Sequence, residues 1–312
     1  MSTKKDIYER LTEIAVAGLK SKGLQWFKPW TNAAGEIEAP INNLTQHPYK
    51  GLNVWLLTAA MIEGGYECNE WLTYKQAAER NGQVRKGEKS TPVIFWMVGY
   101  RDADGKWYGS SKAVLAAGKR LQDCDKTFNV REYKVFNIAQ CDSIEARRKV
   151  AKIEDMVPLT DDEQFDACHE VFKGWSRRGN VPTITNLHLA SYSPSTDTIC
   201  MPPAETFSQG WAGYYFTLFH EMIHSTGHET RLDRFKPSNE VEGAYAKEEL
   251  VAEMGAQFLA TTAGLEYNRD QTQAYINGWC KALTDKPKWI VYGASQAQKA
   301  VELILGEEKE SV

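Results

Sequence analysis

One stretch constrains this chain more than any other: His220-Glu221-Met222-Ile223-His224, at the end of the apolar, aromatic run GWAGYYFTLF. Its chemistry works only on a helix. At about 3.6 residues per turn, side chains four apart project from one face. Two imidazoles so placed can share one divalent cation, at about 2.0–2.1 Å each for zinc. Glu221 follows the first histidine and turns toward the open coordination position. A carboxylate there can take a proton from an activated water and hand it on to a leaving amine. The run therefore predicts a buried helix over about 211–226, with Glu221 as general base.

A catalytic metal of this type needs a third protein ligand. One class of zinc peptidases takes it from a histidine six residues past the second; Gly227 fits that pattern, but Thr230 stands at the histidine position. A second class takes a glutamate from another helix. The segment EELVAEMGAQFLA, in a helix expected over about 244–263, offers Glu249 and Glu253 four apart on one face. The spacing suits one ligand and one carboxylate that orients a histidine. Glu249 is the expected ligand and Glu253 its neighbour; the reverse assignment remains open. Glu248 is expected to be solvated. His228 is given a supporting role, and Arg231 and Arg234 are expected to anchor the following loop. The segment 197–202 is the candidate edge strand for holding a peptide in extended form.

At 312 residues the chain is long enough for two domains. The net charge of -4 hides an asymmetry. Residues 1–150 hold 23 basic against 17 acidic residues, while the remainder holds 14 against 24. Such a sign change suggests two units with different partners. The charged stretch 143–162 marks the expected boundary, giving domains 1–150 and 151–312. Both read as α+β: the first mixed, with strands in TPVIFWMVGY and REYKVFNIAQ, the second mainly helical with a small sheet. WLTYKQAAER reads as a short helix, HLASYS and DTICMP as a hairpin. Six scattered cysteines without a Cys-x-x-Cys pair point to a reduced, cytoplasmic protein. No apolar run approaches the ~20 residues of a membrane span.

The chain resembles the ArdC-type antirestriction proteins of conjugative plasmids, and related domains in phage and plasmid-primase proteins. In the first domain the resemblance rests on Asp6-Ile7-Tyr8, Trp26 with Lys28-Pro29-Trp30, Asn42-Asn43 through Thr45, Tyr49 with Gly51 and Asn53, Trp71 to Gln76, Val84 to Glu88 and Val135-Phe136-Asn137. In the second it rests on His220 to His228, Arg231-Leu232 and Tyr245 through Glu253. It implies an N-terminal single-stranded DNA-binding domain, a C-terminal zinc metallopeptidase-like domain acting on an unidentified protein, and protection of incoming DNA from restriction.

Single strands are held by a cationic groove with aromatic platforms. The basic first domain offers Trp26, Trp30, Tyr49, Trp71 and Tyr74 as rings. Lys28, Lys50, Lys75, Arg85 and Lys86 are the cations beside them in sequence. Two other functions fit the same residues: a non-enzymatic DNA shield with a vestigial metal site, and a peptidase whose first domain binds a protein.

Overall fold

The computed structural model describes residues 6–22, 39–147, 160–178, 181–186, 188–235, 243–265 and 273–306. In chain order these form α1 (Ile7–Lys22), β1 (Ile41–Asn42), α2 (Leu52–Gly64), β2 (Glu70–Thr73), α3 (Tyr74–Glu79), β3 (Gln83–Val84), β4 (Thr91–Asp102), β5 (Trp107–Tyr108), α4 (Ser111–Ala116), β6 (Cys124–Asn137) and β7 (Cys141–Asp142). There follow α5 (Asp161–Ser176), β8 (Thr183–Asn186), β9 (Ser191–Ser193), β10 (Thr198–Met201), α6 (Gly210–Ser225), α7 (Ala244–Thr262), α8 (Gln273–Asp285) and α9 (Lys288–Leu305).

Contacts divide the chain into two compact units, and not at residue 150. One unit joins residues 1–70 to 146–312; the other is 71–145. The physical reason lies in α1. Its apolar face, Leu11, Ala15 and Leu19, is buried. It packs against α8 and α9, and Thr12 Oγ1 donates to the Pro287 carbonyl at 3.0 Å. Trp55 of α2 meets Phe258 of α7 edge to face, with centroids 6.2 Å apart. The sequence shows that these faces are apolar but not which partner covers them.

In the larger unit, α7 is the central helix, with every residue from Leu250 to Thr261 buried. Such a helix needs neighbours all round, and α6 and α9 supply them. Gly255 lets α6 approach closely: a Cβ there would stand 2.6 Å from Ile223 Cδ1. Beside the helices lies a three-stranded sheet in the order β8-β10-β9. β10 runs parallel to β8 and antiparallel to β9.

The smaller unit is built on a long antiparallel ribbon. β4 and β6 pair over twelve residues, from Thr91↔Val135 to Asp102↔Cys124. β5 joins the far edge of β4, and β2 pairs with β6. The helix expected over 71–80 is therefore half strand. Trp71, Leu72 and Thr73 pair with Asn137, Phe136 and Val135. The helix starts only after Thr73, whose side chain and Gln76 form a capping box.

Candidate metal centre

α6 carries both histidines on one face, as its apolar side, including Phe216, Phe219, Met222 and Ile223, packs inward. α7 brings Glu249 across from them. His220 Nε2 lies 3.1 Å from His224 Nε2. Glu249 Oε2 lies 3.5 Å from His220 Nε2, and Glu249 Oε1 3.3 Å from His224 Nε2. Tetrahedral bonds of about 2.0–2.1 Å set donor atoms about 3.3–3.4 Å apart. The three donors thus already stand at the spacing one divalent cation demands, and the donor set of two imidazoles and a carboxylate fits zinc or a neighbour of it.

Each imidazole has a carboxylate behind it. Glu253, fully buried, places Oε2 3.7 Å from His220 Nδ1. Glu248 places Oε1 3.4 Å from His224 Nδ1. The expectation that Glu248 is solvated is wrong. Arg234 folds back from the loop after α6 and grips it, a contact between residues 14 apart that helical periodicity does not reveal. Arg234 also donates to the Ile223 carbonyl at 2.8 Å and to Thr226 Oγ1 at 2.6 Å.

These charges set the protonation of the centre. Burial opposes the charge on Glu249, but hydrogen bonds from both histidines hold its carboxyl well below the usual range. Burial likewise opposes charge on His224, and the adjacent Glu248 and Glu249 outweigh it, raising that imidazole to about 9. Burial pushes the Glu221 carboxyl up, against the pull of His220 and His224. The Tyr192 backbone N–H donates to it.

His220, Glu221, His224 and Glu249 line a cavity of about 780 Å³. Ala190, Ser191, Tyr192 and Pro194 form one wall, Phe235, Tyr245, Trp289 and Tyr292 the others. The wall strand is therefore β9, not the segment 197–202. β10 sits in the middle of its sheet with both edges paired, whereas β9 is an edge strand. Arg231 fixes this wall. It pairs with Asp197 (Nη1 to Oδ2 2.9 Å), reaches Tyr192 Oη at 3.2 Å and donates to the Ser225 carbonyl at 2.7 Å. His228 is elsewhere: its Nδ1 lies 2.8 Å from Thr230 Oγ1, in the turn after α6.

The DNA candidates scatter. Trp26, Lys28 and Trp30 lie outside the described residues. Tyr49 and Trp71 are core residues, 6% and 0% exposed, because both rings turn inward from segments whose polar neighbours read as surface. Lys50 pairs with Glu302 at 2.9 Å, and Arg85 with Glu88 at 3.0 Å and the Ala139 carbonyl at 2.6 Å. Tyr74, Lys75 and Lys86 are exposed. No helix among the described residues is long and apolar enough to cross a membrane.

Known proteins resemble this chain along both of its halves. The model of the N-terminal domain of anti-restriction factor ArdC matches residues 5–136, and that of a zincin-like metallopeptidase matches residues 176–296. A crystal structure of the antirestriction ArdC protein from plasmid R388, metal-free, superposes with a TM-score of 0.67 at 34% identity, covering 96% of this chain and 97% of that one. Its Mn(II)-bound structure gives 0.68 at 32%, covering 99% and 100%. A DNA primase TraC of Escherichia coli is 32% identical over all of this chain, which spans 21% of that primase's length. Protein y4eC of Sinorhizobium fredii (strain NBRC 101917 / NGR234) is 29% identical over 99% of this chain and 94% of its own.

Proposed function

Because this chain belongs to the ArdC antirestriction family, we propose that it protects incoming plasmid or phage DNA by binding single strands and by cleaving a protein at the His220–His224–Glu249 centre. Zinc is the proposed metal, with other divalent ions accommodated. One observation carries the peptidase half: three donors at metal-ligand spacing, all lining a cavity that also holds a buried carboxylate and an edge strand. A structural zinc site closes with four protein ligands, whereas a catalytic one keeps a position open. The six cysteines are free, which supports a reducing cytoplasm.

His220, His224 and Glu249 would hold the cation, with Glu253 and Glu248 steadying the two rings from behind. When bound, the cation supplies Lewis-acid polarisation of a water and of the scissile carbonyl. The β9 edge offers backbone groups to an extended peptide. The Glu221 carboxylate accepts the proton of the attacking water and delivers it to the leaving amine nitrogen. Its burial and raised proton affinity suit both halves of that transfer.

The test is Glu221→Gln in the full chain, loaded with zinc or manganese and incubated with candidate protein and peptide substrates. Metal affinity should be retained while hydrolysis falls by about 10²–10⁴-fold. Undiminished hydrolysis by the variant removes this mechanism. A loaded wild type that cleaves nothing transfers the weight to the non-enzymatic shield.

A further inference from the structure

We propose that one face of the β4–β6 ribbon is the platform on which a single-stranded nucleic acid lies, with Phe95 and Trp107 as stacking rings and Arg131 as a cation beside them. This rests on the reading that the chain binds single strands, and it gives that reading an address.

The register defines the face. Side chains alternate along a strand, and directly paired residues share a side. Val93 pairs with Tyr133, Phe95 with Arg131, Gly99 with Thr127 and Arg101 with Asp125. On the other edge of β4, Arg101 pairs with Trp107. All of these lie on one face. At one end it is core, with Val93 and Val135 buried. Further along, the core runs out, yet large rings continue: Phe95 is 45% exposed and Trp107 39%.

These rings are arranged and not merely left over. Phe95 meets Tyr133 edge to face at 5.4 Å, and the Arg131 guanidinium stands 5.3 Å from the Tyr133 centroid. The Trp107 indole lies down on β4 because two glycines make room. A Cβ at Gly99 would stand 2.3 Å from Trp107 Nε1, and one at Gly109 3.2 Å from its Cη2. Glycine inside a strand marks such a close approach. Phe95 and Gly99 are four residues apart, about 13 Å along the strand. The face thus offers two flat apolar surfaces along one strand, with Arg131 paired across from Phe95 and Arg101 paired with Trp107.

Charge selects the occupant. The unit 71–145 holds 13 basic against 9 acidic residues, a net of +4 inside a chain of -4. Asp125 is the one acid that the register puts on this face, opposite Arg101. The nearby Asp102 is engaged by Lys119 and Tyr108. Among the described side chains of these strands, the exposed ones on this face are Phe95, Trp107, Arg101, Arg131 and Asp125: rings and charges, with no exposed aliphatic residue. Rings and arginines occur at protein interfaces too, so it is the net positive charge of this unit, matched to a phosphate backbone, that selects nucleic acid. Bases stack on rings of any sequence context while arginine meets phosphate or base.

The test uses the full chain and a labelled oligothymidylate of about 20 nucleotides, with the matching duplex as comparison, in a salt series read by fluorescence anisotropy. Phe95→Ala and Trp107→Ala should each weaken single-strand binding by about 5- to 100-fold while circular dichroism shows the fold retained, and Phe95→Trp should keep the wild-type affinity. Arg131→Gln should reduce the salt slope by about 0.7. Wild-type affinity in both alanine variants overturns the platform while leaving single-strand binding standing. If the wild type binds no single strand at low salt, platform and reading fall together and the face is left to a protein partner.

Discussion

Arg234 donates to both carboxylate oxygens of Glu248, Nε at 3.0 Å and Nη2 at 2.6 Å, directly behind His224. Both side chains are nearly buried. The pair is therefore a buried ion pair whose second task is to present a carboxylate to an imidazole. Buried pairs contribute little net stability, but losing one partner strands the other charge. The value of this one is positional: it fixes the ring whose Nε2 faces His220 Nε2 and Glu249 in the proposed metal centre.

Glu248→Gln removes the charge but keeps the shape. Metal affinity should fall by about 10–100-fold, the usual effect of losing a carboxylate behind a ligating histidine. Competition against a chromophoric chelator measures it. Circular dichroism should show an intact fold. Equal affinity in the variant would mean that Glu248 only neutralises Arg234.

The close approach of α6 and α7 sets the distance between the histidines and Glu249. Gly255→Leu would force a side chain against Ile223, which already stands within Cβ contact. Overpacking of this kind costs about 1–3 kcal/mol. Here it should also spread the three donors, so thermal stability and metal affinity should drop together. Stability loss with unchanged affinity would show that the centre tolerates helix separation.

Asp102 gives the smaller unit a pH dependence of known sign. Its carboxylate takes hydrogen bonds from Lys119 Nζ, the Lys106 N–H and Tyr108 Oη, which hold its pKa at about 2 against the burial that opposes them. The unfolded value is about 3.9. The group thus stabilises the fold above about pH 4, and that stabilisation is lost as pH falls toward 2. Asp102→Asn should be less stable than wild type near neutrality, with the gap closing between pH 4 and 2. Denaturant titrations across that range read it directly; a constant gap would mean the contribution is not ionic.

The helix carrying His220 and His224 was legible from spacing alone, because two imidazoles four apart leave a helix little choice of face. For the carboxylates, spacing showed Glu249 and Glu253 on one face but not which of them stands beside both Nε2 atoms; in the fold that is Glu249. Glu248 was not legible: it sits one residue away on a neighbouring face, and its role depends on Arg234 returning from a loop. The edge strand was misplaced by one hairpin arm, since alternation shows that a segment is a strand but not its rank in a sheet. Trp71 and Tyr49 failed as platforms because composition does not tell an inward ring from an outward one. Phe95 gives no separate signal in TPVIFWMVGY, where the unbroken apolar run conceals that this one ring is 45% exposed.

The packing of α1 against α8 and α9 bears on how the chain is made. The apolar face of Leu11, Ala15 and Leu19 leaves the ribosome long before the helices that cover it. At about 5–20 residues per second, the wait is on the order of 15–60 s. The intervening unit 71–145, whose contacts are largely internal, emerges meanwhile. Synthesis therefore leaves a greasy amphipathic helix tethered and waiting, which makes it a natural client for a holding chaperone. It also makes a ribosome stalled before residue 273 a source of aggregation-prone product.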